Sequence, residues 1–138
     1  MADDEYLEVP TTPSLILELL QAAYMDASLD TDGDVVIKST YRHWAFPGDR
    51  DIRLMSQFNV RPDKSLFEQL EYVNRVNDLR KLPRLTLHVR ADNTQAIIMD
   101  WYLPATCPVA KRELVAAIRR FTESVDDAVG LDTGDVIA

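Results

Sequence analysis

His43, His88 and Cys107 are the only two histidines and the only cysteine in the chain. With Asp100 they are the side chains that general acid–base, metal or nucleophilic chemistry would draw on. A zinc site needs ligands at short spacings, and a cysteine nucleophile needs a base within hydrogen-bond reach. Neither pattern is present: His43, His88 and Cys107 come from three distant segments, so a metal site would have to assemble with no spacing signature. His88 alternates with Thr86 and Arg90 on the outward face of a predicted strand, which makes it a solvated residue. A small enzyme or metal-binding protein built on His43, Asp100 and Cys107 is the chemical alternative. The expectation is that no catalytic, cofactor or metal site exists.

Two further patterns imitate a site. Asp30, Asp32 and Asp34 recur at alternate positions around Gly33, as in a calcium loop. An EF-hand loop beginning at Asp30 would need glycine at its sixth position and glutamate at its twelfth, where the chain has Val35 and Tyr41. Asp32-Gly33 is therefore read as a turn. With four glycines and no GxGxxG or GxxxxGK[ST], there is no phosphate-cradling loop.

Glu71, Asn74 and Asn77 are more informative. They lie at i, i+3 and i+6 of a predicted helix, where asparagine gains nothing from helix propensity. Their amides either satisfy backbone groups where the helix meets a sheet, or join a partner surface. The helix is predicted from Asp63 to Arg80, with Leu66, Phe67, Leu70, Val73 and Asn77 as its buried stripe.

The elements around it follow from periodicity and turn chemistry. Residues 1–11 carry acids and Pro10 and are expected to be a flexible arm. Thr12 and Pro13 open a helix reaching about Ala27, with Leu15, Ile16, Leu19, Leu20 and Ala23 inward. Strands follow at Val35–Ile37, Thr40–Phe46 and Ile52–Phe58, the last with Ile52, Leu54, Ser56 and Phe58 on one face. After the middle helix, Leu85, Leu87 and Val89 alternate inward on a strand whose partner, Gln95–Leu103, is apolar on both faces. Such a strand is central or covered by another chain. A last helix from about Val109 to Val129 buries Leu114, Ile118, Phe121 and Val125, and Gly130 stops it. The tail from Leu131 has no partner visible in the sequence.

Composition bounds the function. At 138 residues with 46% apolar content, one domain is expected, spanning 12–130. A net charge of −8, from 23 acidic against 15 basic residues, works against binding a phosphate backbone. No apolar run is long enough for a membrane span. The acidic start is unlike the basic opening of a signal peptide, and a lone cysteine suits a reducing cytoplasm.

The element order, α-β-β-β-α-β-β-α, now joins the residue details. Asp32-Gly33-Asp34 leads into the first strand, Glu71-x-x-Asn74-x-x-Asn77 lies on the middle helix, and paired strands follow. Together these features, over about Ser14 to Val129, resemble the YbjN family of bacterial sensory transduction regulators, which shares the type III secretion chaperone fold. The Pro47-Gly48 turn and the acidic arm depart from that pattern. The resemblance implies a single α+β domain with an antiparallel sheet and helices packed on it. It further implies no known catalytic centre, frequent dimerisation and action through protein contacts. The expected function is a chaperone-like or regulatory protein-binding domain, cytoplasmic and homodimeric, with Glu71, Asn74, Asn77, Met99 and Trp101 as partner-binding candidates. A second reading is an adaptor that binds one folded signalling partner through the polar helix face.

Overall fold

The computed structural model describes residues 6–138. The first five residues, the most acidic part of the expected arm, lie outside that range. In chain order the elements are β1 (Tyr6–Leu7), α1 (Pro13–Ala22), β2 (Asp26–Leu29), β3 (Val35–Lys38), β4 (Arg42–Pro47) and β5 (Asp51–Asn59). They continue with α2 (Leu66–Leu79), β6 (Arg84–Val89), β7 (Gln95–Pro104), β8 (Val109–Ala110) and α3 (Lys111–Gly130). Strands β2 to β7 form a six-stranded antiparallel sheet in the order β2-β3-β4-β5-β7-β6, and β1 pairs with β8 as a separate two-stranded ribbon. This is the expected α+β architecture, with one strand more than expected in the main sheet.

That extra strand comes from the first helix, which was expected to reach Ala27. Thr12 Oγ accepts from the Leu15 N–H at 3.2 Å and Pro13 sits in the first turn, as the sequence required. The helix stops at Ala22 because Tyr24 takes a left-handed φ of 61°. Asp26–Leu29 then pairs with Val35–Lys38 through the aspartate turn. There Asp30 Oδ1 accepts from the N–H groups of Asp32 and Asp34, while Gly33 supplies a φ of 82°.

All three helices cover one face of the sheet: α1 lies on β2, β3 and β4, α3 on β5 and β7, and α2 beside β6. The core between the layers holds Ile37, Ala45, Ile52, Leu54, Ile97, Met99 and Leu85 from the sheet, closed by Ile16, Leu20, Tyr72, Ile118 and Phe121. Strand β7 is central, matched to β5 from Asp51↔Pro104 to Asn59↔Ala96 and to β6 from Arg84↔Asp100 to Val89↔Gln95. Its two-faced apolarity is that of an interior strand. Burial of this much apolar side chain on one face is the term that holds the layers together.

Both termini depart from expectation. Tyr6 and Leu7 pair with Ala110 and Val109, and Leu7 is buried, so this part of the expected arm is docked. The last helix begins two residues later than expected, at Lys111. The tail also docks. Asp132 accepts at 2.9 Å from the N–H groups of both Val136 and Ile137, Ile137 bridges to Val60, and Val136 is buried.

Candidate protein-binding surface

Helix α2 begins at Leu66, where Ser65 Oγ accepts from the Glu68 N–H at 3.1 Å, rather than at Asp63. Its buried residues are Gln69, Tyr72, Val73 and Val76. This corrects the expected stripe: only Val73 of that set is buried, while Leu66, Phe67 and Leu70 are 56%, 73% and 40% exposed. Polar anchors set the rotation of the helix. The Tyr72 hydroxyl donates to Ala128 O at 2.7 Å, Arg75 donates to Leu131 O at 3.0 Å, and Asn77 grips β6. Burial at the foot of α3 pushes the Tyr72 pKa well above its ordinary value, with the Asp132 charge adding to the shift.

The Asn77 amide acts as a short strand. Its Nδ2 donates to Leu85 O at 3.0 Å and its Oδ1 accepts from Leu85 N at 2.9 Å, so both outward backbone groups of that residue are paired. At the far end of β6, Arg90 N–H donates to Thr94 O and closes the turn toward β7. By the alternation of an antiparallel ladder, Leu87 and Val89 then face the same way as Leu85. β6 is the edge strand and pairs with β7 alone, so these groups of Leu87 and Val89 point away from the sheet, and no hydrogen bond outside the ladder engages them among the described residues. Along an antiparallel helix and strand, four helical residues rise about as far as two strand residues, ~6 Å. Counting from the Asn77–Leu85 clasp, Val73 falls level with Leu87, and Leu70 and Leu66 lie at and beyond the level of Val89.

An open sheet edge therefore runs beside an uncovered apolar stripe. Val89 is 56% exposed and Leu87 half-buried. Glu71 and Asn74 are exposed and follow Phe67 at i+4 and i+7, so they form the polar rim of that stripe. Leu66, Phe67, Leu70, Leu87 and Val89 were legible as apolar residues in the sequence, but periodicity assigned them to the core.

Of the partner-surface candidates on β7, Met99 is fully buried in the core and Trp101 is half-buried against that core. Leu54 and Ile97 are likewise core residues. The residues of the chemical alternative are dispersed. His43 is buried on the helix-covered face, its ring nitrogens engaged by Ser39 and Ser56 and its edge against Phe121, and burial lowers its pKa to about 4. Asp100 lies on the opposite face of the sheet, where Arg53 donates to it at 2.9 and 3.1 Å and Arg84 donates twice at 3.0 Å. Cys107, in the loop before β8, donates its thiol to Val9 O. His88 is exposed. No two of the sulfur and imidazole groups meet. Asp30, Asp32 and Asp34 bring carboxylate oxygens within 4.8 Å of one another, and within the turn Asp30 Oδ1 accepts from the N–H groups of Asp32 and Asp34.

A six-stranded antiparallel sheet with three helices on one face and an edge at β6 is an α+β domain whose fold is shared by a type III secretion chaperone. Residues 12–129 match the family model YbjN, described as "Putative bacterial sensory transduction regulator", and the chain belongs to that family. No curated protein matches it. Among solved structures it is similar to YbjN of E. coli, described as "a putative transcription regulator", with a TM-score of 0.82 and 12% identity over 96% of this chain and 99% of that one. An uncharacterized protein from Methanothermobacter thermautotrophicus gives a TM-score of 0.59 at 12% identity, covering 86% and 94% of the two chains. The Yersinia pestis type III secretion chaperone SycH, solved in complex with a stable fragment of YscM2, gives 0.51 at 17% identity, covering 88% and 100%. At these identities the likeness is one of fold. No helix among the described residues is long and apolar enough to cross a membrane.

Proposed function

We propose that this chain is a non-enzymatic, cytoplasmic protein-binding domain, chaperone-like or regulatory, that works as a homodimer in bacterial signalling or stress regulation. The observation that carries the reading is the open β6 edge beside the exposed Leu66, Phe67 and Leu70. A flat edge with unpaired backbone groups is ordinarily blunted by charge, proline or a covering element. Here the clasp by Asn77 ends at Leu85, and apolar side chains flank the rest.

The surface suits a second copy. Two β6 edges meeting antiparallel across a two-fold axis place Leu87 of one copy opposite Val89 of the other, and the same axis brings the two α2 stripes together. Main-chain pairing supplies affinity and the side chains supply register. Glu71 and Asn74 sit at the rim, where polar groups fix orientation more than they add affinity. The fold class also includes a chaperone solved with a protein fragment bound, which supports protein contact as the mode of action.

Light scattering tests this directly. The wild type is expected to be a dimer, and the double variant Phe67→Ser, Leu70→Gln is expected to be a monomer that melts cooperatively. A wild-type monomer at all accessible concentrations would sink the reading.

A further inference from the structure

We propose that the groove between α1 and α3 is a docking site for an acidic amphipathic segment of a protein partner. It lies apart from the β6 edge and carries a partner of different chemistry, so it goes beyond the dimer reading. The groove has a volume of about 340 Å³ and a floor of Leu19 and Ala22 from α1 with Val115 and Ala116 from α3. The two alanines are exposed and leave room for a neighbour's backbone to come close. Concave apolar channels between helices receive an amphipathic helix through side chains at three- and four-residue spacing.

Charge selects the occupant. Every charged residue lining the groove is a cation, namely Lys111, Arg112 and Arg119, in a chain whose net charge is −8. Lys111 and Arg112 form no ion pair among the described residues. Arg119 is held at the end of the groove by its hydrogen bond to Ala23 O at 2.6 Å, across the gap between the helices. Helix α3 begins at the opposite end of the groove, beside Lys111 and Arg112, with Ala110 at its N-cap and no side-chain cap; Glu113 in its first turn offsets part of the helix's positive pole, so the two side chains carry the charge there. At physiological salt the screening length is ~8 Å, so an occupant of the groove feels these nearby cations more than the distant acidic surface. An anionic bilayer, flat and wide, would meet that acidic surface as well as the groove.

The test is fluorescence anisotropy on the full chain with a panel of labelled synthetic peptides. Each keeps leucines at helical spacing, with the intervening residues all Glu, all Gln or all Lys. The Glu peptide is expected to bind about tenfold or more tighter than the Lys peptide, with affinity falling as salt is raised. The double variant Lys111→Glu, Arg112→Glu should reverse that preference, and Ala116→Trp should fill the groove and abolish binding, both at unchanged melting temperature. Equal binding of all three peptides, binding of none, or an unchanged preference in the charge-reversed variant would overturn the proposal. So would sedimentation of the chain with phosphatidylserine vesicles that depends on Lys111 and Arg112. A change in molar mass caused by Ala116→Trp would assign the groove to a second copy and overturn it too. The dimer reading is decided separately, by light scattering of the Phe67 and Leu70 variant.

Discussion

His43 shows how one buried side chain is read. An imidazole with both nitrogens taken by serine hydroxyls and a phenylalanine against its edge loses water on every side, and its charged form loses most. Its pKa falls to about 4 in the folded protein, against the ordinary value of 6.5 in the unfolded chain. Between those values the unfolded state binds a proton that the native state does not. Stability is therefore expected to decline as pH drops from about 6.5 toward 4, by up to ~1.4 kcal/mol per pH unit from this group. Urea titrations across that range, with His43→Gln as the comparison, check it: the slope should flatten in the variant. Asn77 offers a second measurement. Asn77→Ala leaves the Leu85 backbone pair exposed at the helix–strand seam and should cost ~1–3 kcal/mol in chemical denaturation. Asn77→Asp keeps the acceptor for Leu85 N–H but sets a carboxylate against Leu85 O, so it should be the more harmful at neutral pH and should recover in acid.

At the scale of elements, the ends and faces carry the information. The turn out of α1 depends on Tyr24, which is 98% exposed and holds a φ of 61°. A tyrosine in that region is strained and gains nothing from packing, so Tyr24→Asn should raise stability by ~0.5–1 kcal/mol, read as an increase in melting temperature. The sheet's uncovered face depends on Asp100, whose side chain is 1% exposed beneath the guanidinium groups of Arg53 and Arg84. Both of its oxygens are occupied, and removing them leaves two cations adjacent with no counter-charge. Because Arg53 and Arg84 are 32% and 62% exposed and can rehydrate, Asp100→Ala should cost about 1–3 kcal/mol, whereas Arg84→Ala, which leaves the Arg53 pair intact, should cost less than about 1 kcal/mol. Thermal melts of the two variants distinguish this clamp from an ordinary surface ion pair.

In the whole molecule, residues 136–138 dock on the end of β5 and the residues that follow it. Val136 is buried and Arg61 N–H donates to Val136 O at 2.8 Å, tying the tail to the connection between β5 and α2. Val136→Ala should lower stability by ~2 kcal/mol, measured by denaturant midpoint. Much of the architecture was legible without coordinates. Alternation placed Ile52, Leu54, Ser56 and Phe58 on one face of β5, and the cap at Thr12 and the turn at Asp30–Asp34 have the chemistry their types require. What sequence determined was local: turn and cap preferences and apolar periods act within a few residues of one another. Only tertiary structure decided which way α2 faces, because its apolar residues admit more than one stripe. Contacts between residues 56 apart in the chain, Tyr72 to Ala128 and Arg75 to Leu131, selected the stripe that leaves Leu66, Phe67 and Leu70 in solvent. The same holds for the short strand β2, the docked tail and the separation of His43 from Asp100 on opposite faces of the sheet. Each is set by pairing across the fold, whose energy no local window contains.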